Sequence, residues 1–200
     1  LIVTLSHWRL PQSEQDDSDD LTSPKKSATP LETLTHPAVI LLMLVFALYG
    51  GLEVSVGQLS DSLLTKSRDV SQEVAGLWIS VYWSALTIGR MLSGTFGGRV
   101  SNVTLMRGSI IGAVTGTMLL WSPLPEVIGL AVIGLSIAPM FATIMSDTPE
   151  RVGRRHAANA IGFQIGFAGI GAATLTGIAG VLADNISLEI VPPYLVVNAV

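Results

Sequence analysis

The sequence predicts an all-α integral membrane protein. Lys, Arg, Asp and Glu make up 13% of its 200 residues, about half of their share in an average soluble domain. Nine of these charged residues lie within residues 1–36, so the rest of the chain is too poor in charge to form a soluble surface. The mean hydropathy of +0.57 agrees with apolar segments that lie in lipid.

The composition also excludes several classes of function. The chain has no cysteine, which excludes disulfide scaffolds and thiolate metal sites. A net charge of −4 without a basic stripe offers nothing to nucleic acid. The His-Glu-x-x-His motif is absent, and none of His7, His36 and His156 lies mid-span beside a serine. We therefore expect no enzymatic activity, no metal and no cofactor.

Apolar segments of about 20 residues, the length that crosses a bilayer as a helix, follow one another along the chain. Pro37 suits the first position of a helix, where its missing N–H costs nothing, and Thr35 can cap that helix. The sequence Ser-Pro-Leu-Pro at 122–125 is a tight turn between two segments. We predict five complete spans, at 37–57, 74–96, 103–121, 125–146 and 156–183, and the start of a last span at 192–200.

Residues 1–36 precede the first complete span. Residues 1–5 have the composition of the end of an apolar helix, and 6–36 that of a solvated linker, with a phosphorylated regulatory segment as the alternative. If this linker is cytoplasmic, nine basic residues lie on that side and only Lys66 and Arg68 on the other. We expect a cytoplasmic linker and a chain that is a fragment of a longer protein.

Glu53 is the acidic residue that lies inside a predicted span. A carboxylate in the hydrocarbon layer costs roughly 2.5 kcal/mol or more, so it faces a protein interior or a wet cavity. It shares one helix face with Tyr49, Gly57 and Ser60. A solute-binding or proton-binding role is one interpretation, and a packing carboxylate is the other.

The second span carries a polar and aromatic face. Ser80, Trp83, Thr87 and Arg90 recur at steps of three and four residues and therefore line one side of a helix. Trp83 lies too deep for an interfacial belt, and an indole offers a flat apolar surface with one N–H donor that suits a sugar ring. We predict that Trp83 and Thr87 contact the solute, although a packing role for Trp83 is equally compatible with the pattern.

The fourth and fifth spans each add a polar candidate. Met140 lies on one stripe with Ser136, Thr143 and Asp147, beside Pro139, which should kink the helix. Gln164 is the deepest strongly polar side chain of the fifth span. It either forms a hydrogen bond between helices or binds a solute hydroxyl.

Acidic and basic side chains gather in the predicted cytoplasmic turns. They can orient and cap the helices, or form a network that breaks and reforms between two states. Neither interpretation excludes the other. The predicted cytoplasmic gate comprises Arg90, Arg99, Asp147, Glu150, Arg151, Arg154 and Arg155.

Four stretches resemble the second half of a major facilitator superfamily transporter, and more closely the fucose–proton symporter branch and its eukaryotic relatives. They are YGGLEVSVG at 49–57, YWSALTIGR at 82–90, SDTPER at 146–151, and GFQI at 162–165 with the glycine-rich run after it. The charged loop motif of the superfamily is degraded here, because Gly94 and Arg99 fit it but Gly98 stands where the acid belongs. A similar charge order follows one loop later, at 150–155.

The resemblance implies a twelve-helix fold of which this chain holds the C-terminal six-helix bundle. Residues 1–36 become the end of helix 6 and the central cytoplasmic linker, residues 37–200 contain helices 7–11 and the start of helix 12, and the N-terminal bundle is the missing partner. In this superfamily helices 7, 8, 10 and 11 line the cavity.

We expect a secondary active transporter that works by alternating access. The expected cargo is a sugar or similar small polar solute taken up with protons across the plasma membrane, with an internal membrane as the alternative location. Residues expected to contact solute or proton are Glu53, Tyr49, Trp83, Thr87, Met140 and Gln164. Transport of drugs or organic anions by the same fold is one alternative, and a membrane sensor or scaffold that does not transport is another.

Overall fold

The protein is an all-helical membrane protein, described for residues 28–96 and 100–199 in a computed structural model; no strand occurs in these ranges. Within these described ranges seven α-helices follow one another: α1 Pro30–Leu34, α2 Pro37–Ser62, α3 Gln72–Phe96, α4 Asn102–Leu119, α5 Glu126–Val152, α6 Arg154–Asn185 and α7 Val191–Ala199. A π-helical turn, Leu63–Ser67, extends α2, and a 3-10 turn, Leu188–Ile190, leads into α7. The predicted end of helix 6 and Arg99 lie outside the described residues.

Every predicted complete span corresponds to a helix. Three continuous helical stretches within the described residues are long and apolar enough to cross a membrane, namely Pro37–Ser67, Glu126–Val152 and Arg154–Asn185. Helices α3 and α4 are not among the three, so the crossing of residues 74–96 and 103–121 stays a prediction. The apolar stretch Leu188–Ala199 is shorter than the other three.

Local sequence signals account for most helix ends. Pro37 opens α2 as predicted, but the residue at the cap is His36 rather than Thr35. Thr35 instead ends α1 with helical backbone angles (φ −82°, ψ −6°), and Pro37 as the first residue of α2 leaves His36 at the cap. Helices α5 and α6 meet at Gly153, whose φ of 79° lies in the left-handed region that favours glycine.

Helix α2 packs against α6 at backbone contact distance. A Cβ added at Gly171 would lie 1.9 Å from the Ala47 carbonyl oxygen, and one added at Gly50 would lie 2.4 Å from that of Ala168. Helix α5 packs against both α3 and α4. Three glycines lie four residues apart on α4, and of these Gly112 and Gly116 contact α5 whereas Gly108 faces open space.

The segment before α2 folds back onto the start of α6. The Asn159 side-chain amide donates to the Ala28 carbonyl oxygen at 2.8 Å, and the Thr33 hydroxyl lies 3.0 Å from His156 Nδ1. Arg155 and Glu32 form an ion pair at 3.0 Å. We call this end of the bundle the linker end and the opposite one the far end.

Candidate functional site

The candidate site is an ion pair between α2 and α3. An Arg90 Nη2 hydrogen bond of 2.7 Å reaches a Glu53 carboxylate oxygen, and another of 2.6 Å reaches the Tyr49 hydroxyl. The Glu53 side chain is 16% exposed and that of Arg90 is 41% exposed. Arg90 thus binds both Glu53 and Tyr49, two residues that the sequence predicts on one face of the first span.

Aromatic rings surround this pair. The Arg90 guanidinium lies 5.7 Å from the ring centre of Phe141 on α5, within the range of a cation–π contact. Phe141 also packs against Tyr49 and Phe46, with ring centres 6.2 and 5.7 Å apart respectively. The Tyr82 hydroxyl donates to the Glu53 carbonyl oxygen at 2.7 Å and fixes α3 against α2.

Trp83 follows the buried Tyr82 in the sequence and lies on a neighbouring face of α3. Its ring meets that of Tyr82 edge-on with centres 5.0 Å apart, and a Cβ added at Gly57 would lie 2.5 Å from the indole. The side chain is nevertheless 39% exposed. Thr87 is also exposed, and its hydroxyl donates to the Trp83 carbonyl oxygen at 2.8 Å. Trp83, Thr87 and Arg90 therefore share an open face of α3.

Met140 lines a cavity of about 500 Å³ between α2, α4, α5 and α7. Tyr49, Thr143 and Asp147 also line it, but Glu53, Trp83 and Gln164 do not. A second cavity of about 540 Å³ lies between α2 and α6, against Gln58 and Thr176. The structure therefore does not bring all predicted solute contacts to one cavity.

Gln164 forms the hydrogen bond between helices, the first of its two predicted alternatives. Its side chain is fully buried, and its Nε2 donates to the Thr148 hydroxyl of α5 at 3.0 Å. That hydroxyl also lies 2.9 Å from the Ile144 carbonyl oxygen. Gln164 thus ties α6 to the last turns of α5, and binding of a solute hydroxyl stays a prediction.

The predicted gate residues separate into different contacts. Asp147 accepts a hydrogen bond from Asn102 of α4 and pairs with Arg151 at 3.2 Å, whereas Arg155 pairs with Glu32 of the linker. Glu150 and Arg154 are exposed. Arg90 lies with Glu53 rather than with the acids at the linker end, so a gating role through those acids has no contact to support it.

Sequence reasoning missed a cluster at the far end. Arg68 donates to Glu189 at 2.9 Å, to Glu126 at 3.0 Å and to the Leu120 carbonyl oxygen at 2.6 Å. Hydrogen bonding to Glu189 raises the pKa of Arg68, and the Arg68 guanidinium holds the pKa of Glu189 below its usual range. The sequence did contain a signal for this cluster, because Arg68 is one of only two basic residues on the side predicted to lie opposite the cytoplasm.

Among residues 28–96 and 100–199, no group of three or more His, Cys, Asp or Glu side chains could hold a metal ion. The candidate site combines the Arg90 cation, the Glu53 carboxylate, and the exposed Trp83 indole and Thr87 hydroxyl beside them.

Two curated proteins are similar to this chain. Bypass of stop codon protein 6 from Saccharomyces cerevisiae is 24% identical over 196 residues, covering 90% of this chain and 39% of that protein. A fosmidomycin resistance protein from Escherichia coli is 29% identical over 205 residues, covering 96% of this chain and 47% of that protein. No protein-family model matches, and no solved structure matches significantly.

The long apolar helices support a helical membrane protein as the broad class, and the chain is similar to a protein named for fosmidomycin resistance. The chain spans less than half the length of each of the two relatives. Nothing in either similarity distinguishes the fucose–proton symporter branch.

Proposed function

We propose that this chain is the C-terminal six-helix half of a twelve-helix secondary transporter, which moves a small polar solute together with protons by alternating access. The observation that carries the proposal is the Glu53–Arg90 ion pair inside a long apolar helix bundle. Ionisable groups at membrane depth are expensive and mark solute pathways or proton relays. A sugar or a similar polyhydroxylated molecule is the proposed cargo, and uptake is the proposed direction.

The exposed face of α3 supplies the rest of the proposed binding surface. Trp83 offers an indole face and Thr87 a hydroxyl, while Tyr49 holds Arg90 from the other side. Met140 and Gln164 belong to the proposal on the sequence pattern alone. The remaining contacts would come from an N-terminal bundle, which faces this half in transporters of this class. We also propose that the linker end faces the cytoplasm and that the protein resides in the plasma membrane.

Replacing Glu53 tests the proton-coupled function. In Glu53→Gln the site can no longer take up or release a proton, so solute uptake should lose its dependence on an imposed pH gradient. Solute uptake into proteoliposomes that hold the full-length protein, measured between pH 5.5 and 8, checks this loss of pH dependence. Glu73→Gln, which changes an exposed acid at the start of α3, is the matched control.

An unchanged pH profile in Glu53→Gln would show that this carboxylate does not couple protons to transport. Solute that stabilises the protein against heat without any flux would instead favour a sensor or scaffold. Both outcomes are distinguishable from misfolding, because the variant must first elute as a single species with a wild-type melting temperature.

Drug efflux is the second candidate function, and the similarity to the fosmidomycin resistance protein favours it. If this candidate is correct, cells that express the protein should tolerate a higher fosmidomycin concentration than cells that express Arg90→Gln. Equal tolerance at equal membrane expression would argue against efflux of this compound.

A further inference from the structure

The Glu53–Arg90 pair is isolated from other formal charges along the helices that pack near it. Helix α6 carries no charged side chain between His156 and Asp184, and α5 carries none between Glu126 and Asp147. Among residues 28–96 and 100–199, the other ionisable groups in contact with the pair are the hydroxyls of Tyr49 and Tyr82. No other described formal charge therefore balances a change in the charge of Glu53 or Arg90.

The two side chains of the pair differ in their ability to change charge. An arginine stays protonated under all physiological conditions, whereas a carboxylate can become neutral by taking a proton. A guanidinium forms strong, charge-assisted hydrogen bonds with a carboxylate, so one that has lost its anion can accept another carboxylate in its place. If Glu53 becomes neutral, Arg90 keeps the Tyr49 hydroxyl and the Phe141 ring but loses its only formal negative partner among the described residues.

We propose that the solute carries a carboxylate that replaces Glu53 on Arg90 while Glu53 takes up a proton, so that the cargo is a small hydroxylated acid moved with one proton. This inference rests on the proposed transport function and narrows its substrate class. The site is neutral before binding, with one anion and one cation. It is neutral afterwards, with a protonated Glu53, the Arg90 cation and the carboxylate of the solute.

Exposure and spacing support this arrangement. Arg90 is 41% exposed and Glu53 16%, so an incoming anion reaches the cation more easily than it reaches the acid. Guanidinium groups bind carboxylates through two parallel hydrogen bonds, which makes the match specific. Thr87 and Trp83 precede Arg90 by three and seven residues on the same open face. A hydroxylated body can extend along them from an acid end on Arg90.

Acetate, the smallest carboxylate with a methyl group, tests the anion site without knowledge of the natural cargo. Purified protein is melted while sodium acetate replaces sodium chloride at constant ionic strength. At pH 7.5 acetate should raise the melting temperature of Glu53→Gln, in which Arg90 lacks its acid, by more than that of the wild type. Arg90→Gln should not respond, and Arg107→Gln, which changes an exposed arginine of α4, should respond as the wild type does.

Matched acid and neutral compounds then test the substrate class. The pairs are D-gluconate with D-glucose, D-galactonate with D-galactose, L-fuconate with L-fucose, and L-lactate with L-lactamide. At least one acid should bind more tightly than its neutral counterpart. Its apparent Kd should weaken by up to about tenfold per pH unit as pH rises, because one proton binds with each anion. Arg90→Gln should lose this preference, Arg90→Lys should keep part of it, and Glu53→Gln should bind the acid without pH dependence.

The outcomes separate this inference from the proposed function. Proton-coupled flux of a neutral solute that survives Arg90→Gln would overturn the acid-binding site and leave the transporter intact. No acid binding better than its partner, together with no acetate response in Glu53→Gln, would also overturn it. Absence of flux for every solute would instead contradict the proposed function.

Discussion

Arg90 shows how a long side chain carries a charge to residues of a neighbouring helix. Arg90 lies six residues before the end of α3, and Glu53 lies 16 residues after the start of α2. The Arg90 guanidinium donates hydrogen bonds to both Tyr49 and Glu53 and so places its charge beside them.

Gln164 is the second residue whose environment decides its role. We predict that Gln164→Leu lowers the melting temperature of the purified protein, because Thr148 loses its partner on α6 inside a fully buried contact. Removal of one member of a buried hydrogen bond costs about 1–3 kcal/mol. Gln58→Leu, an exposed glutamine on α2, is the control and should melt close to the wild type. A stable Gln164→Leu variant that loses solute binding would instead assign this side chain to the cargo.

At the scale of helices, the close crossing of α2 and α6 depends on glycines, which have no side chain. Two backbones approach here so closely that Gly50 and Gly171 have no room for a Cβ atom. In a membrane such close approach replaces the hydrophobic effect as the source of helix association, because lipid is as apolar as the side chains. The five glycines of α6 that face open space leave a smooth surface on its other sides.

This crossing predicts a position-specific response to alanine. Gly171→Ala should destabilise the bundle by about 1–3 kcal/mol, the usual cost of overpacking, since its Cβ would lie 1.9 Å from the Ala47 carbonyl oxygen. Gly169→Ala, two residues away and open to space, should be neutral. Thermal melting in detergent compares the two. Equal melting temperatures would mean that α2 and α6 are farther apart than described.

At the scale of the whole molecule, Arg68 joins segments that are distant in sequence. It connects the turn after α2 with the start of α5 at Glu126 and the turn before α7 at Glu189. The far end is thus held by one guanidinium, and the linker end by separate pairs such as Arg155 with Glu32.

The Arg68 cluster predicts an acid-sensitive contribution to stability. Because the pKa of Glu189 is lowered in the folded protein, its pairing stabilises the fold above the ordinary value of 4.5 and is lost as pH falls below it. The difference in melting temperature between the wild type and Glu189→Gln should therefore shrink from pH 7 to pH 4. The effect is small, about 1 kcal/mol or less, because the Glu189 side chain is 41% exposed. Glu73→Gln should show no such trend.

Much of the helical fold was predictable because apolar runs and proline-marked turns are local signals. Pro37 begins α2, and the turn at 122–125 separates α4 from α5 as predicted. The cap of α2 departs from prediction for a local reason, because Thr35 belongs to the end of α1. The closest contact of α6 depends instead on long-range packing, since Gly171 meets Ala47 of α2.

The sequence predicted several residues of the candidate site but not how they contact one another. Helix periodicity placed Tyr49 and Glu53 on one face of the first span and Trp83, Thr87 and Arg90 on one face of the second. It could not place those two faces against each other, since that depends on the packing of α3 on α2 through Tyr82. For the same reason the pairing of Arg68 with Glu126 and Glu189, which join distant turns, was invisible to spacing rules.

The docking of the linker onto α6 has a consequence for biosynthesis. Thr33 and its partner His156 are 123 residues apart in the chain. A ribosome that adds about 5–20 residues per second needs roughly 6–25 s to synthesise that interval. Until α6 has been synthesised and inserted, residues 28–34 lack the helix against which they pack. Their docking is therefore a late event in assembly, because it can follow only after α6 is in place.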